Sequence, residues 1–351
     1  MSAAVVAVLA LGIGTAWAGV PSTTVPTSSV GVALRSTTTP VPTAARRQSP
    51  FAVTGFQEEG TPSSRITASA GALTTVGVDG VNISADGGAV GRPDSDARNQ
   101  LAVAHRDHLR AELLIGNYSD AIGDFSELEA HRLFSSNSKI DAVVAELVRS
   151  VRTEGWDGLS VDLESLSGRD GAGLVTFLRT LRAELPAGRT VSVCVSNRTS
   201  AAGFRQSGYE LAAIGATVSR VILMGYDEHG TWGTPGPVGA LAWQRAGIRV
   251  VLRSVPAAKL DLGVAGYGYA WRPGGDVQLG DAAARRLAFS PGARASFDRR
   301  AGEWTAHLPD GSTIWWSDAR SFALRVGLAH SLHLHGLAVW SLGLSDPLRL
   351  G

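Results

Sequence analysis

Asp162 and Glu164 stand two residues apart in the stretch Trp156-Asp157-Gly158-Leu159-Ser160-Val161-Asp162-Leu163-Glu164. From Leu159 onward apolar and polar residues alternate. Leu159, Val161 and Leu163 fall on one side, Ser160, Asp162 and Glu164 on the other, which is the period of a strand. Neighbours on one face of a strand lie roughly 7 Å apart, at about 3.3 Å of rise per residue. Two carboxylates therefore project side by side from a rigid element. An apolar opposite face packed on helices turns the polar row inward, where a carboxylate is costly unless paired or put to use. One such group kept neutral and its neighbour kept ionised is the equipment for acid–base cleavage of a glycosidic bond. Asp157 is out of phase with this row, and its place in the turn before the strand suggests a structural role.

The elements that would position this pair follow from the rest of the pattern. After Pro50, strand-like and helix-like segments alternate, which predicts a parallel α/β architecture. The strands are read at Phe51–Phe56, Leu73–Ile83, Glu112–Asn117, the carboxylate stretch, Thr190–Ser196, Val218–Tyr226, Leu260–Gly266 and Gly336–Ser341. Helices are read at Ala97–Arg110, Ser138–Arg152, Leu174–Leu185, Ala240–Val250 and Ser321–Leu332. Ile140, Val143, Val144, Leu147, Val148 and Val151 make the second of these plainly amphipathic. Eight strands with intervening helices predict a TIM (β/α)8 barrel, whose chemistry gathers where the strands end. Asp162 and Glu164 sit at such an end on the fourth strand, Tyr226 and Asp227 on the sixth, Trp340 on the eighth, and Asn117 ends the third, where it would line the cleft. Residues 272–320 are too long for one loop and carry Trp304, Trp315 and Trp316, so a small β-rich insertion between strands seven and eight is expected to wall one side.

Composition narrows the function further. The chain has 351 residues, 44% of them hydrophobic, enough for a sizeable core. Its formal charge is +1, from 32 basic and 31 acidic residues, with no basic block, so no nucleic-acid partner is expected. Cys194 is the one cysteine, which excludes an intrachain disulfide and a four-cysteine zinc site. It lies in a strand-like run and reads as a small core residue. His330, His333 and His335 cluster at a helix end remote from the expected catalytic face and read as solvated side chains, not as metal ligands. Residues 1–18 form an apolar run ending Ala16-Trp17-Ala18, the pattern of a signal peptide or N-terminal anchor. Residues 19–50 are rich in Ser, Thr and Pro and read as a disordered linker. The barrel domain is assigned to 51–351, and a secreted or cell-envelope location is expected.

The longer form of the motif, Asp-Gly-x-x-x-Asp-x-Glu, resembles the signature Asp-Gly-x-Asp-x-Asp-x-Glu of glycoside hydrolase family 18, the chitinase-like enzymes. Met224-Gly225-Tyr226-Asp227 looks like that family's Met-x-Tyr-Asp. Gly263 to Trp271 is similar to its seventh-strand segment, and Gly336 to Gly343 to its closing strand. The resemblance implies that Glu164 is the general acid and that the substrate's own 2-acetamido carbonyl attacks C1, giving an oxazolinium and retention of configuration. By the same resemblance Asp162 orients the acetamido group, Tyr226 donates to its carbonyl, and Trp340 floors the sugar ring. Asp227 either contacts the leaving sugar or caps a loop. The implied substrate is a β-1,4-linked N-acetylglucosamine polysaccharide, chitin or peptidoglycan, with no cofactor and no protein partner. Ser160 replaces the family's middle Asp. A serine can hydrogen-bond Asp162 but cannot share a proton with it, so an altered pH optimum is expected. The alternative is a lectin-like barrel that binds carbohydrate without turnover. Retention of Glu164, Asp162 and Tyr226 favours an enzyme.

Overall fold

The computed structural model describes residues 51–350. The apolar run at 1–18 and the Ser/Thr/Pro-rich stretch at 19–50 lie outside the described residues. Eight parallel strands close into a barrel: β1 (Ala52–Gln57), β2 (Thr75–Asn82), β3 (Arg110–Gly116), β4 (Gly158–Asp162), β5 (Thr190–Ser196), β6 (Arg220–Met224), β7 (Leu260–Ala265) and β8 (Gly336–Trp340). Each pairs with its neighbours in sequence, and β1 closes on β8. The TIM barrel expected from the alternation is therefore the fold.

The carboxylate strand is placed by the helix before it. That helix, Asn137–Glu154, is capped by the Ser136 hydroxyl and ends at Gly155, whose φ of 88° is the left-handed conformation glycine takes without penalty. Its six apolar residues are all buried against the barrel wall. Leu159, Val161 and Leu163 meet the same outer core, whereas Ser160 turns into the barrel. Gly158 has a steric reason: a Cβ there would lie 2.3 Å from Thr190 Oγ1. Asp157 anchors the turn, accepting from the Ala111 N–H at 3.0 Å and from Arg189 at 2.8 Å, and it lies 2.9 Å from His105 Nε2.

The barrel interior is layered. At its lower end Arg220 on β6 binds Glu112 on β3 at 2.5 Å, donates to Thr54 on β1 at 3.1 Å, and faces Asp261 on β7 at 3.6 Å. Above this lies an apolar plug of Phe56, Leu114, Cys194, Ile222, Met224 and Ala338. Cys194 is the small core residue expected, here facing the barrel interior. His335 sits 2.6 Å from Asp261 through Nδ1, and His330 stacks on Phe51 at 4.2 Å.

The seventh-strand segment divides where the sequence reads as continuous. β7 stops at Ala265, and Tyr267–Trp271 joins a separate five-stranded antiparallel sheet. That sheet runs in the order Val277–Gly280, Tyr267–Trp271, Thr313–Trp316, Glu303–His307, Arg294–Asp298. A helix, Asp281–Ala288, covers one face through Ala284 and Ala288, which pack on Ala270, Ala306 and Ile314. The insertion thus begins at Tyr267, before residue 272, and carries one helix besides its five strands.

Candidate active site

Asp162 ends β4 and Glu164 follows two residues later at the barrel mouth. Tyr226 lies two residues past β6, and Trp340 ends β8, with a cis peptide joining it to Ser341. Tyr226 and Trp340 pack on the same two apolar clusters: the barrel plug below and the aromatic face of the inserted sheet beside it. Trp340 also tilts over Phe56, centroids 5.5 Å apart. The structure brings these four side chains to one end of the barrel.

Burial governs their charge. It lifts the Glu164 carboxyl well above the ordinary carboxylate range, and the carboxylates of Asp162, Asp227 and Asp124 push it further, against an opposing pull from Arg198. Burial and then the charge of Asp79 raise Asp162 to about 7, while the Cys194 thiol works the other way. Burial also holds the Tyr226 hydroxyl well above its usual value, so it remains a hydrogen-bond donor. The site can therefore hold a protonated acid at Glu164 beside a carboxyl that titrates near neutrality.

Asp227 is held by two phenols. Tyr267 donates to its Oδ1 at 2.6 Å and Tyr269 to the same atom at 2.8 Å. These bonds oppose the desolvation that raises Asp227 to about 6. Its φ of 63° lies in the left-handed region, which aspartate tolerates better than most residues. Tyr267, Tyr269 and Trp271 alternate on one face of their strand, and Trp271 Nε1 fixes the loop after β6 through the carbonyls of Gly230 (3.1 Å) and Gly233 (2.9 Å). This period of two is visible in the sequence, although no role attaches to it without the sheet.

Two sequence candidates do not reach the cleft. Asn117 is wholly buried, and both N–H groups of its amide are used: Nδ2 donates to the Ser126 carbonyl at 3.0 Å and to the Glu164 carbonyl at 2.9 Å. Its Oδ1 accepts the Glu164 N–H at 2.8 Å. It holds the main chain of Glu164 and does not line the cleft. Ser160 is also wholly buried, beneath Asp162, with its hydroxyl 4.0 Å from Cys194 Sγ. It has no surface to offer a substrate, and its partner is the thiol, not Asp162.

Two groups outside the motifs bear on the site. Asp79 on β2 faces the interior, and Tyr209, buried with its hydroxyl 3.4 Å from Ser196 Oγ, lies within the field of Glu164. Nothing in the local sequence marks either one.

A parallel eight-stranded barrel with two buried carboxyls, a phenol and an indole gathered at its C-terminal mouth has the architecture of a TIM-barrel glycoside hydrolase. The chain matches the family described as glycosyl hydrolases family 18 over residues 62–344, and it belongs to that family. It is 26% identical over 259 residues to the uncharacterized glycosylase YvbX of Bacillus subtilis, covering 70% of this chain and 74% of that one. It is 27% identical over 240 residues to the cortical fragment-lytic enzyme of the same organism, covering 64% of this chain but only 55% of the relative. Among solved structures, the chitinase of Chromobacterium violaceum superposes with a TM-score of 0.77 at 28% identity, over 84% of this chain and 95% of that one.

Proposed function

We propose that the protein hydrolyses β-1,4-linked N-acetylglucosamine polysaccharide, chitin or peptidoglycan, by a retaining mechanism in which the substrate supplies the nucleophile. The observation that carries this reading is a buried Glu164, its carboxyl pushed well above the ordinary range, beside Asp162, with the Tyr226 phenol within the field of both and the Trp340 indole packed on the same apolar clusters as Tyr226. Glu164 protonates the leaving glycosidic oxygen. The acetamido carbonyl attacks C1 from the opposite side, while Tyr226 donates to that oxygen and Asp162 faces the nitrogen, where positive charge develops. Trp340 supports the apolar face of the ring, and Asp227, held by two tyrosines, contacts the leaving sugar. Water then opens the oxazolinium, with the Glu164 carboxylate as its base.

The named likenesses support the substrate class, since one relative is called a chitinase and another a cortical fragment-lytic enzyme. They support action outside the cytoplasm as well, in a secreted or envelope protein. Among the described residues no helix is long and apolar enough to cross a membrane. The test is digestion of chitooligosaccharides and purified peptidoglycan side by side, with mass analysis of the fragments and Glu164→Gln as control. Release of new reducing ends by wild type alone supports the reading; binding without release would leave a lectin-like barrel.

A further inference from the structure

We propose that Asp79, from β2, is a positioning residue that sets the charge on Asp162, the task for which β4 offers only Ser160. The register places it there. Asp79 pairs with Leu114 on β3, and Leu114 pairs with Ser160 on β4, so the three form one inward-facing row. Asp162 stands one step above that row, opposite Gly116. The inward position before Asp79 on β2 is Gly77, where a Cβ would lie 2.4 Å from the Phe56 ring. Phe56 therefore fills the lower space, and Asp79 is the first polar group of β2 to enter the barrel mouth. A bulge follows at once, between Asp79 and Val81.

Asp162 needs such a partner. It is 5% exposed, and its Oδ1 is buried without a hydrogen-bond partner. The polar groups next along the barrel interior are neutral, the Ser160 hydroxyl and the Cys194 thiol. Arg220, a cation inside the barrel, is occupied in the lower layer by Glu112 and Asp261, and Arg198 acts on Glu164. Besides Glu164, which shares the mouth and interacts with Asp162 from the same strand end, Asp79 is the charged side chain from another strand whose field bears on Asp162. Asp79 in turn feels Glu58 and Glu59 from the end of β1, and burial with these two charges raises it to about 6. Glu58 accepts a hydrogen bond from Ser341, beside Trp340.

Two carboxyls in one desolvated space titrate as a pair. Asp79 keeps Asp162 close to its midpoint, so that it completes its ionisation when positive charge forms in front of it. The arrangement also accounts for Ser160: an aspartate there would put a third carboxylate into the same space. This inference rests on the proposed function for its catalytic meaning, but the electrostatic claim stands apart from turnover.

The experiment is a 13C titration of the Asp162 carboxyl in the full chain, run beside pH profiles of kcat/KM on chitooligosaccharides. In Asp79→Asn, and in Asp79→Ser as a second variant, the Asp162 midpoint and the acid limb are expected to fall together by about one pH unit. Ser160→Asp should move both upward, and the double variant Ser160→Asp/Asp79→Asn should bring them back toward wild type. An Asp162 midpoint and acid limb unmoved in the Asp79 variants, with activity merely reduced, would overturn the proposal. A wild type without turnover would sink the hydrolase reading, while the carboxyl titration would still decide this one.

Discussion

The side-chain amide of Asn117 grips Glu164 from both sides of its residue, accepting its N–H at 2.8 Å and donating to its carbonyl at 2.9 Å. The acid is thereby tied to the end of β3, and through the Ser126 carbonyl to the start of the next helix. Asn117→Ala leaves these buried main-chain groups without partners. Chemical denaturation should show a loss of about 1–3 kcal/mol. Steady-state kinetics should show kcat/KM lower by roughly 100-fold, because the acid moves and not because its charge changes. The pH limbs should therefore stay where they are, and a displaced limb would contradict the assignment.

Stability should depend on pH in a direction set by the raised carboxyls. Asp162 titrates at about 7 and Asp79 and Asp227 at about 6, each above the ordinary aspartate value of 3.8. The folded state then binds more protons than the unfolded chain between about pH 4 and 7, so stability is greatest at the acid end and falls as pH rises through that window. Asp162→Asn removes its share of the penalty. Melting curves should find this variant less pH-dependent than wild type, and more stable at pH 8 by on the order of 2–4 kcal/mol.

Tyr226→Phe keeps the ring that packs on the barrel plug and edge-on to Tyr267 but deletes the hydroxyl. The expected result is a kcat lower by about 10- to 100-fold with an unchanged melting temperature, the magnitude usual for one preorganised donor or somewhat below it. Equal activity of the two proteins would remove Tyr226 from the mechanism.

The lower layer of the barrel predicts the opposite pattern. Arg220→Ala takes the cation from between Glu112 and Asp261, both buried, leaving them only hydroxyl and imidazole partners, and truncating one partner of such a network typically costs about 3–5 kcal/mol. Unfolding experiments should show that loss, while kcat of the folded fraction should change little, since the apolar plug separates Arg220 from the acid.

Periodicity and order make the barrel legible in the sequence. The stretch from Ser138 to Glu164 carries a six-residue apolar stripe, a glycine stop and an alternating strand, each local and each consistent with the next. What stayed hidden was non-local. Asn117 reads as a strand-end polar residue facing a cleft, and only the fold shows its amide spent on the Glu164 backbone. Asp79 belongs to no motif, because its meaning depends on a register across three strands. The break at Gly266 was obscured because Gly263 to Trp271 keeps one β-like composition while passing from one sheet to another.

The central claim is that the substrate's own N-acetyl group, and no side chain, attacks the sugar while Glu164 supplies the proton. It is tested most directly by comparing hydrolysis of N-acetylated oligosaccharides with that of their fully deacetylated counterparts, the product anomer being read by proton NMR within the first turnovers. The account predicts cleavage of the acetylated chain alone, giving the β-anomer, and loss of that cleavage in Glu164→Gln with binding retained. Comparable cleavage of the deacetylated chain, or an α-anomer as first product, would contradict it.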